Sequence, residues 1–502
     1  MAVSSQLWIV VIIYIVLSIV AGNLSGRREK SAKGYFHSEL PAIVVALSCT
    51  GAAISGVAFI GTPGTTYAQG LGVAAACGAG GVLGVVLANV LLGKPMRRLH
   101  NVCGSITITD LFVDAYQDKR FSYICIPVLL IVSTVFAAVQ WQSIGTLLNT
   151  LLGIDYIKAV LLGVVVVTLY TILGGNKSTA VVGAVQVGVA MLACIYLVYA
   201  ALKVSGTSIT GLHEQVKAVD SSFLNMTNSG LSAGAVVSYI LLYSLGSVGQ
   251  PSIMVRYFQL KDPKLLPKTL AAGTISMTLT LLVPVVSLVM FLQVANGNIA
   301  PLASADACVP AFIGMFCGPF AGGLLVSACL AAIMSTAGAL LISASSTLVK
   351  DIMVEWMHVD MSGRKGITYS RLATLLIIVV STLIACFPSG GILQIGFAAF
   401  GAFGAVFAPS AVLTLRWRRC TKQGTFAGMV AAFVVVALQT ILNATGLWHW
   451  PFTLHVGVVA MAINAIITVA VSFATPVQDK PFLPPTSAQI RAMQSAEAAA
   501  AE

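Results

Sequence analysis

Long apolar runs separated by short polar stretches recur along the whole chain. A helix needs about 20 apolar residues to cross the hydrocarbon core of a bilayer, and the pattern predicts about thirteen such helices. We number them as spans 1 to 13, at 6–24, 40–68, 71–93, 121–148, 156–173, 178–202, 233–255, 267–296, 320–348, 368–388, 391–415, 424–443 and 453–475. The expected fold class is therefore an all-α polytopic membrane protein.

The basic residues between the spans predict how the chain is oriented. No Lys or Arg precedes span 1, and four follow it within residues 27–33. Cytoplasmic loops carry an excess of Lys and Arg, so the N-terminus is expected outside and, with an odd number of spans, the C-terminus inside. On this assignment only Lys158, Lys203 and Lys217 of the 27 basic residues lie outside, which supports the odd number.

Composition agrees with this class and excludes others. Of the 502 residues, 58% are hydrophobic and 9% are charged, which is too apolar for a soluble domain of this size. The net charge of +11 does not indicate a nucleic-acid partner, because the basic residues are spread between apolar spans. The ten Cys residues contain no CxxC pair, so neither a zinc site nor a disulfide framework is expected.

We expect one transmembrane domain over residues 1–475, in the cell membrane and functional as a monomer. Segment 105–118 is predicted to be an amphipathic helix at the membrane interface. The external loops 203–232 and 297–319 are long enough for short helices that cap a site, although the sequence does not demand them. The second loop region carries Cys308 and Cys317, which are either bridged or two free thiols. The tail 476–502, with Pro-rich and Ala/Glu-rich pieces, is expected to be disordered.

One apolar stretch, ALSCTGAAISGVAFIGTPGTTYAQGLG at 46–72, contains six Gly residues and Pro63. Gly and Pro weaken a helix by roughly 1 and 3 kcal/mol relative to Ala. Backbone groups freed at membrane depth are tolerated only where protein or a water-filled cavity receives them, so a broken helix here would indicate a binding site, as in secondary transporters. Close helix packing through small residues explains the same composition, and both explanations stay open.

None of the sixteen Asp and Glu residues falls within a predicted span. Because acids inside the membrane mark proton relays, their absence disfavours a carboxylate-based proton pump. A cation at mid-membrane would need carbonyl and hydroxyl oxygens, which suit a hard ion such as Na⁺. In span 9, Ala332, Ser335 and Thr336 share one helix face and offer such oxygens. The alternative is that these hydroxyls bond back to their own helix.

Five segments in order along residues 40–350 resemble the sodium:solute symporter family, which includes sodium/proline, sodium/pantothenate and sodium/glucose transporters. They are the stretch 46–72, Gln140 in QWQSIGTLL, YTILGG at 170–175, GQPSIMVRYF at 249–258, and AAIMSTAGALLISASSTLVKD at 331–351. The resemblance implies a LeuT-like core of two inverted five-helix repeats, with spans 2 and 7 as broken helices. The repeats would be 40–202 and 233–415, with 6–24, 424–443 and 453–475 peripheral.

The resemblance also implies two sites and no cofactor besides the coupling ion. It assigns Na⁺ to the carbonyls of Gly51, Ile54 and Ala332 and to the hydroxyls of Ser335 and Thr336. It assigns the solute to Ser55, Gly56, Gln140, Tyr243 and Ser247. The Tyr243 ring would either stack on the solute or pack against neighbours. The break in span 7 is expected at Gly246 and Gly249, and Arg256 is expected to be a structural or gating residue.

Some positions depart from the family pattern. Gly183 and Ala184 stand where many members have Thr-Asp, and Gly338 and Ala339 where many have Asp-Ser. The Asp of the Thr-Asp pair helps to form a second Na⁺ site in some relatives. Because Gly183 and Ala184 replace that pair here, one Na⁺ per solute is expected.

The expected function is Na⁺-coupled symport of a small organic solute, such as an amino acid or monocarboxylate, by alternating access. A proton-coupled or uncoupled permease on the same fold is the first alternative. A channel or membrane receptor is more remote, because no span carries a sustained hydrophilic stripe. An enzyme is not expected, because no nucleophile–base pair or metal-ligand cluster lies within the spans.

Overall fold

A helix occupies each position at which a span is predicted. The computed structural model describes residues 5–26, 32–361, 363–448, 450–478, 480 and 482–483. The helices keep the span numbers, and the two that are broken carry the letters a and b. They are α1 Ser5–Gly26, α2a Ala42–Ala53, α2b Val57–Gln69, α3 Leu71–Cys103, α4 Ser122–Leu152, α5 Tyr156–Leu169, α6 Gly175–Ser205, α7a Ala233–Gly249, α7b Pro251–Phe258, α8 Leu266–Ala295, α9 Pro319–Ser346, α10 Gly363–Cys386, α11 Ile392–Arg416, α12 Lys422–Ala444 and α13 Val456–Ala474.

By length and composition, ten of the described helices can cross a membrane, and the bent pairs α2a/α2b and α7a/α7b bring the number to twelve. The remaining predicted span is α5, which is shorter. A sharp kink at Gly175 divides it from α6, with φ at 60° and ψ at −157°, a backbone conformation that glycine adopts readily. The count of thirteen and the orientation of the termini stay predictions.

The break in α2 covers Ile54 and Ser55, and the break in α7 is at Gln250. The two halves of α2 meet at 53° and those of α7 at 41°. Ile54 has ψ at 93° and Gln250 has ψ at 119°, and Pro251 begins α7b, where its fixed φ suits a first turn. Of the two glycines at which this break is predicted, Gly249 is the last residue of α7a, directly before the break, whereas Gly246 lies inside α7a. There it allows close packing, since a Cβ would stand 2.9 Å from the Phe400 carbonyl oxygen.

Helix α9 lies at the centre of the bundle, whereas α1, α12 and α13 are the least buried of the apolar helices. The helical path of α9 continues through Thr347–Val354, past the predicted end of the span at residue 348. Asp351, fully buried, therefore lies on the same helix, although no acid was expected there. The hydroxyl of Thr109 donates to its carboxylate at 2.6 Å, and the adjacent Lys350 ammonium is also paired with Asp110.

One prediction about the flanking segments stays open and one is wrong. Segment 105–118 forms a helix, Ile108–Tyr116, in which Asp110 and Tyr116 are buried in protein, and its position at the membrane interface stays a prediction. The tail is not wholly disordered, because Lys480 and Phe482 are buried; residues 484–502 lie outside the described residues.

The two long loops that are predicted to be external contain short helices, Ile209–Val219 and Cys308–Phe316. Cys308 and Cys317 are free thiols. The loop helices therefore hold their positions without a disulfide between these two residues.

A buried amide on α13 compensates for a proline in α11. Pro409 lies within α11 and has no N–H, so the carbonyl four residues earlier, that of Ala405, lacks its helical partner. The Nδ2 of Asn464 donates to the Ala405 oxygen at 2.7 Å and lies 3.0 Å from the Val406 oxygen. The hydrogen bond joins a peripheral helix to the core.

We predict that Asn464→Leu lowers the free energy of unfolding by about 0.6 to 2 kcal/mol, because a buried carbonyl loses its donor. The midpoint of thermal unfolding in detergent, followed with a thiol-reactive dye on the buried cysteines, measures this. Asn101→Leu, at an exposed position on α3, is the matched control and should leave the midpoint unchanged. Equal midpoints for the two variants would contradict the prediction.

Candidate functional site

The break in α2 presents carbonyl oxygens to the middle of α9. Because α2a ends just before Ile54, carbonyls of its last turn lack helical amide partners. The Oγ1 of Thr336 lies 2.7 Å from the Gly51 oxygen and 3.1 Å from the Ile54 oxygen. The Oγ of Ser335 lies 3.1 Å from the Gly51 oxygen and 2.8 Å from the Ala332 oxygen. All five residues that the sequence assigns to the ion are thus in contact, and all are buried.

These five oxygens, which we call the oxygen cluster, contain more acceptors than donors. Three are carbonyl oxygens and cannot donate, and each hydroxyl carries one hydrogen. Two hydrogens therefore serve four close oxygen–oxygen approaches. Two of these approaches bring lone pairs together without a hydrogen between them. A cation would turn the same arrangement from a repulsive one into a favourable one.

The spacing of the oxygen cluster fits a small hard cation after slight expansion. Oxygens roughly 2.4 Å from one such ion lie about 3.1 to 3.4 Å apart when neighbouring ligands subtend 80–90°. The approaches in the cluster are 2.7 to 3.1 Å. An outward movement of a few tenths of an ångström would seat the ion. The donor set, all neutral oxygen, suits Na⁺ and offers no soft ligand to a transition metal.

Small residues bring α2, α6 and α9 together around the cluster. A Cβ on Gly51 would lie 2.8 Å from a methyl carbon of Val187 on α6 and 3.4 Å from the Ser335 oxygen. Gly183, one turn earlier on α6, faces Ser335 with more room, since its Cβ would meet only the Ser335 Cβ at 3.6 Å. Among the described residues, no carboxylate hydrogen-bonds to the cluster. The space beside Ser335 is therefore neutral.

Three of the five predicted solute residues meet directly beside the cluster. The amide of Gly56 donates to the Oε1 of Gln140 at 3.0 Å, and the hydroxyl of Ser55 accepts from the Val57 amide at 3.2 Å. The first amides of α2b point here, where the helix dipole favours negative charge. Amide donors, a side-chain amide and a hydroxyl are the groups that hold a small polar molecule.

The other two predicted solute residues, Tyr243 and Ser247, lie apart from these three. The Tyr243 ring is buried edge-on against Phe397, with ring centroids 5.3 Å apart. It also packs on Phe400, whose ring lies 5.3 Å from that of Phe136 on α4. Ser247 bonds the Tyr243 carbonyl at 2.5 Å and lines a different cavity, with Thr50, Asn89 and Thr269. The structure therefore separates the predicted solute residues into two groups.

The residues between the two groups were missed from the sequence. Phe397 and Phe400 of α11 stand between Tyr243 and α4, and the hydroxyl of Ser143 lies against Gly56. The aromatic spacing of FAAFGAFGAVF at 397–407 places several rings on related faces of one helix, and this pattern could have indicated them. No sequence pattern indicates Ser143, because its contact with Gly56 depends on how closely α4 approaches the break in α2.

Contacts from α8 and from the loop that follows it cover one face of the site. The Ser287 hydroxyl donates to the Pro63 carbonyl at 2.7 Å, and Gly64 packs against the backbone at Ala305. The carboxylate of Asp306 accepts from the Ile392 amide, at the start of α11, at 3.0 Å. Burial raises the pKa of Asp306, and the bond from that amide lowers it in part. Helices α2b, α8 and α11 are thereby joined on this face.

The opposite face is closed by contacts between the ends of α2a and α7b. Leu40 pairs with residue 260 in a short parallel bridge, in which its amide donates to the Gln259 oxygen at 2.9 Å. Arg97 donates to the Phe258 carbonyl at 2.8 Å and pairs with Glu39 at 2.5 Å. The hydrogen bond from Arg97 lowers the pKa of Glu39. Opening this face would require these contacts to separate.

We predict that Gly56→Ala destabilises the closed arrangement, because the new Cβ would stand 2.0 Å from the Ser143 oxygen and 2.4 Å from its Cβ. The thermal midpoint should fall by several degrees. Adding Ser143→Gly removes both clashing atoms and should restore most of the loss.

The control is Gly188→Ala, at a helical glycine whose Cβ would meet nothing within 4 Å. This variant should be neutral or more stable by up to about 1 kcal/mol. If Gly56→Ala behaved like Gly188→Ala, the close approach of α2 to α4 would not hold in the folded protein.

Comparison with known proteins adds a family and several relatives. The model of the sodium:solute symporter family matches residues 37–432. The osmoregulated proline transporter of Bacillus subtilis is 29% identical over 87% of this chain and 90% of its own length. The sodium/pantothenate symporter of Haemophilus influenzae is 28% identical, over 87% and 91%. A sodium/proline symporter of Staphylococcus aureus is 28% identical, over 94% and 93%.

Solved structures share the fold. A Na⁺-coupled sialic acid symporter in a substrate-bound outward-open state superposes with a TM-score of 0.75 at 16% identity, over 95% of this chain and 99% of that one. A nucleobase-cation-symport-1 family transporter in a closed conformation gives 0.55 at 14% identity, over 89% and 96%. The expected LeuT-like architecture with broken helices is confirmed, whereas the exact boundaries of its two repeats stay predictions.

Proposed function

This chain belongs to the sodium:solute symporter family, and on that premise we propose that it takes up a small organic solute together with one Na⁺ bound in the oxygen cluster. The cluster is the observation that carries this proposal. Its five oxygens join a broken helix to α9 and lack the hydrogens to satisfy one another. A bound cation supplies the missing positive charge and holds the two helices together.

The ion acts on the solute site through the break in α2. Ile54 contributes its carbonyl to the cluster, and the next two residues, Ser55 and Gly56, present their groups to the solute. An ion that fixes the backbone at Ile54 therefore also fixes the donors beside it. Because linkage is reciprocal, the solute strengthens Na⁺ binding by the same factor. The membrane potential contributes about 2.3 kcal/mol per charge per 100 mV to inward movement.

The solute we propose is an amino acid or another small monocarboxylate. The first amides of α2b and the amide of Gln140 suit one carboxylate, and no basic residue hydrogen-bonds to Ser55, Gly56 or Gln140 among the described contacts. The names of the relatives, which transport proline or pantothenate, agree with a carboxylate-bearing solute. Residues Ser55, Gly56 and Gln140 would bind it directly, and Tyr243 would shape the wall behind Phe400.

Proton coupling has less support. Carbonyl and hydroxyl oxygens do not titrate near neutral pH, and no carboxylate hydrogen-bonds to the cluster among the described residues. A proton would have no group on which to travel at this position. The neutral donors favour a metal cation over a proton as the coupling ion.

We predict that Ser335→Ala combined with Thr336→Val abolishes Na⁺-stimulated uptake, because two of the five ligands are lost. Each hydroxyl should contribute roughly tenfold to Na⁺ affinity. Uptake of radiolabelled proline, pantothenate and a panel of small acids into proteoliposomes, with and without a Na⁺ gradient, measures this.

Ser345→Ala is the control on the same helix, because its hydroxyl bonds only to carbonyls of its own helix. It should retain Na⁺ stimulation. Full Na⁺ dependence in the double variant would remove the proposed ion site. Uptake driven by a proton gradient and indifferent to Na⁺ would favour the alternative permease.

We also predict one Na⁺ per solute in the natural protein, and a changed ion dependence in Gly183→Asp. The new carboxylate would lie beside Ser335, where the glycine leaves room. The Hill coefficient for Na⁺ should rise from about 1 towards 2, because a second cation gains a charged ligand. Gly183→Asn, of the same shape without the charge, should keep a coefficient of about 1. A coefficient near 2 in the unmodified protein would contradict the stoichiometry.

A further inference from the structure

Arg256 is a buried cation that has no acidic partner among the described residues. It lies on α7b, is 2% exposed, and its Nη1 donates to the Asn176 Oδ1 at 2.8 Å and to the Gln259 Oε1 at 3.1 Å. The other buried arginine among the described residues, Arg97, is paired with the carboxylate of Glu39. Only neutral oxygens surround the Arg256 charge.

A buried charge without a counter-ion is costly in a membrane protein and is retained mostly at functional positions. Two donors here also lack acceptors: the Nε of Arg256 and the Nδ2 of Asn176 are buried without a hydrogen-bond partner. An anion that accepts from both would supply the missing charge and satisfy both donors. Charge-assisted bonds of this kind are about twice as strong as neutral ones.

Both residues line one small cavity. Its volume is about 20 Å³, enough for about one water-sized group. Ser343 and Ser346 of α9 line the same cavity, with Phe36 from the segment before α2a. Arg256 and Asn176 therefore line a common space that is polar on one side and bounded by five separate segments of the chain.

The cavity lies on a path from the oxygen cluster to one face of the bundle. Ser343 and Ser346 follow Thr336 by seven and ten residues on α9, which corresponds to about 10 and 15 Å at 1.5 Å per residue. They lie towards the end of α9 that the positive-inside assignment places in the cytoplasm. The contacts that close this face, at Leu40 and Arg97, join α2a to α7b, the helix that carries Arg256. Opening of the face would enlarge the cavity.

We propose that Arg256 and Asn176, with Ser343, form an anion-binding station on the cytoplasmic exit path, which receives the carboxylate of the solute after it leaves the break in α2. This rests on the proposed uptake of a carboxylate-bearing solute. The station gives a monocarboxylate a second binding position about two to three helix turns from the first. A neutral solute gains nothing there, so the station selects for anionic and zwitterionic solutes.

Acetate binding to the purified full-length protein in detergent tests the proposal. Potassium acetate replaces potassium methanesulfonate at constant ionic strength, and the thermal midpoint is followed. Acetate should stabilise the natural protein saturably, and Arg256→Gln should weaken its apparent affinity roughly tenfold or more. Arg120→Gln, at an exposed arginine paired with Asp118, should retain the natural affinity.

Asn176→Asp is the second variant and covers the case in which Arg256→Gln does not fold. It places a carboxylate at the oxygen that Arg256 already contacts, so the protein supplies its own anion. This variant should have a higher midpoint than the natural protein and no response to acetate. A saturable acetate response in Asn176→Asp equal to that of the natural protein would overturn the proposal.

Further outcomes distinguish binding at the Arg256 station from binding at the α2 break, and a carboxylate site from a halide site. Loss of the acetate response in Gln140→Ala, with retention in Arg256→Gln, would place the carboxylate at the α2 break and overturn the station. Bromide that stabilises as well as acetate and competes with it would identify a halide site instead. The proposed station would also be overturned if the natural protein showed no saturable response to acetate. Because the titration needs no gradient, its failure is distinct from failure of Na⁺ coupling.

Discussion

The structure depends on one arrangement: carbonyl oxygens freed by a break in α2 face two hydroxyls on the most buried helix of the bundle. In hydrocarbon, an unpaired carbonyl costs several kcal/mol, so a helix cannot break unless another element receives its free groups. Thr336 and Ser335 receive those of Gly51 and Ile54. They do so incompletely, because the two hydroxyl hydrogens serve four close oxygen–oxygen approaches. That incompleteness provides a reason for a cation to bind there.

The second broken helix is held by the same principle. The side-chain amide of Gln250, at the break in α7, donates to the carbonyl of Ala52 at 3.0 Å and to the Ser252 hydroxyl at 2.8 Å. The two breaks are thus joined to each other as well as to α9. The contacts that close one face of the bundle involve α2b, and those that close the other face lie at the ends of α2a and α7b. Alternating access then requires only that these contacts separate on one face at a time.

Much of the chemistry could be predicted from the sequence, because it depends on local backbone and residue type. Lengths of apolar runs locate the helices, and the distribution of Lys and Arg predicts their orientation. The glycines around Gly51 and the hydroxyls at Ser335 and Thr336 form motifs short enough to recognise, and the five oxygens they imply do meet. The membership in a family follows from the same motifs. What these residues bind stays a proposal, since residue type limits the ligand without identifying it.

Only the tertiary structure decided which helices meet, and the reason is physical. Spans in lipid are apolar on all sides, so periodicity does not reveal which face packs inward, and association depends on small residues and shape. For that reason the sequence grouped Tyr243 and Ser247 with Gln140, whereas in the structure Tyr243 packs on Phe397 and Phe400 and Ser247 lines a separate cavity. For the same reason it missed the burial of Asp351 and Lys480. It also predicted a break at Gly246, which lies inside α7a, whereas the helix breaks at Gln250, directly after Gly249. The isolation of Arg256 from every described carboxylate likewise depends on how α6, α7b and α9 approach one another, which no local pattern encodes.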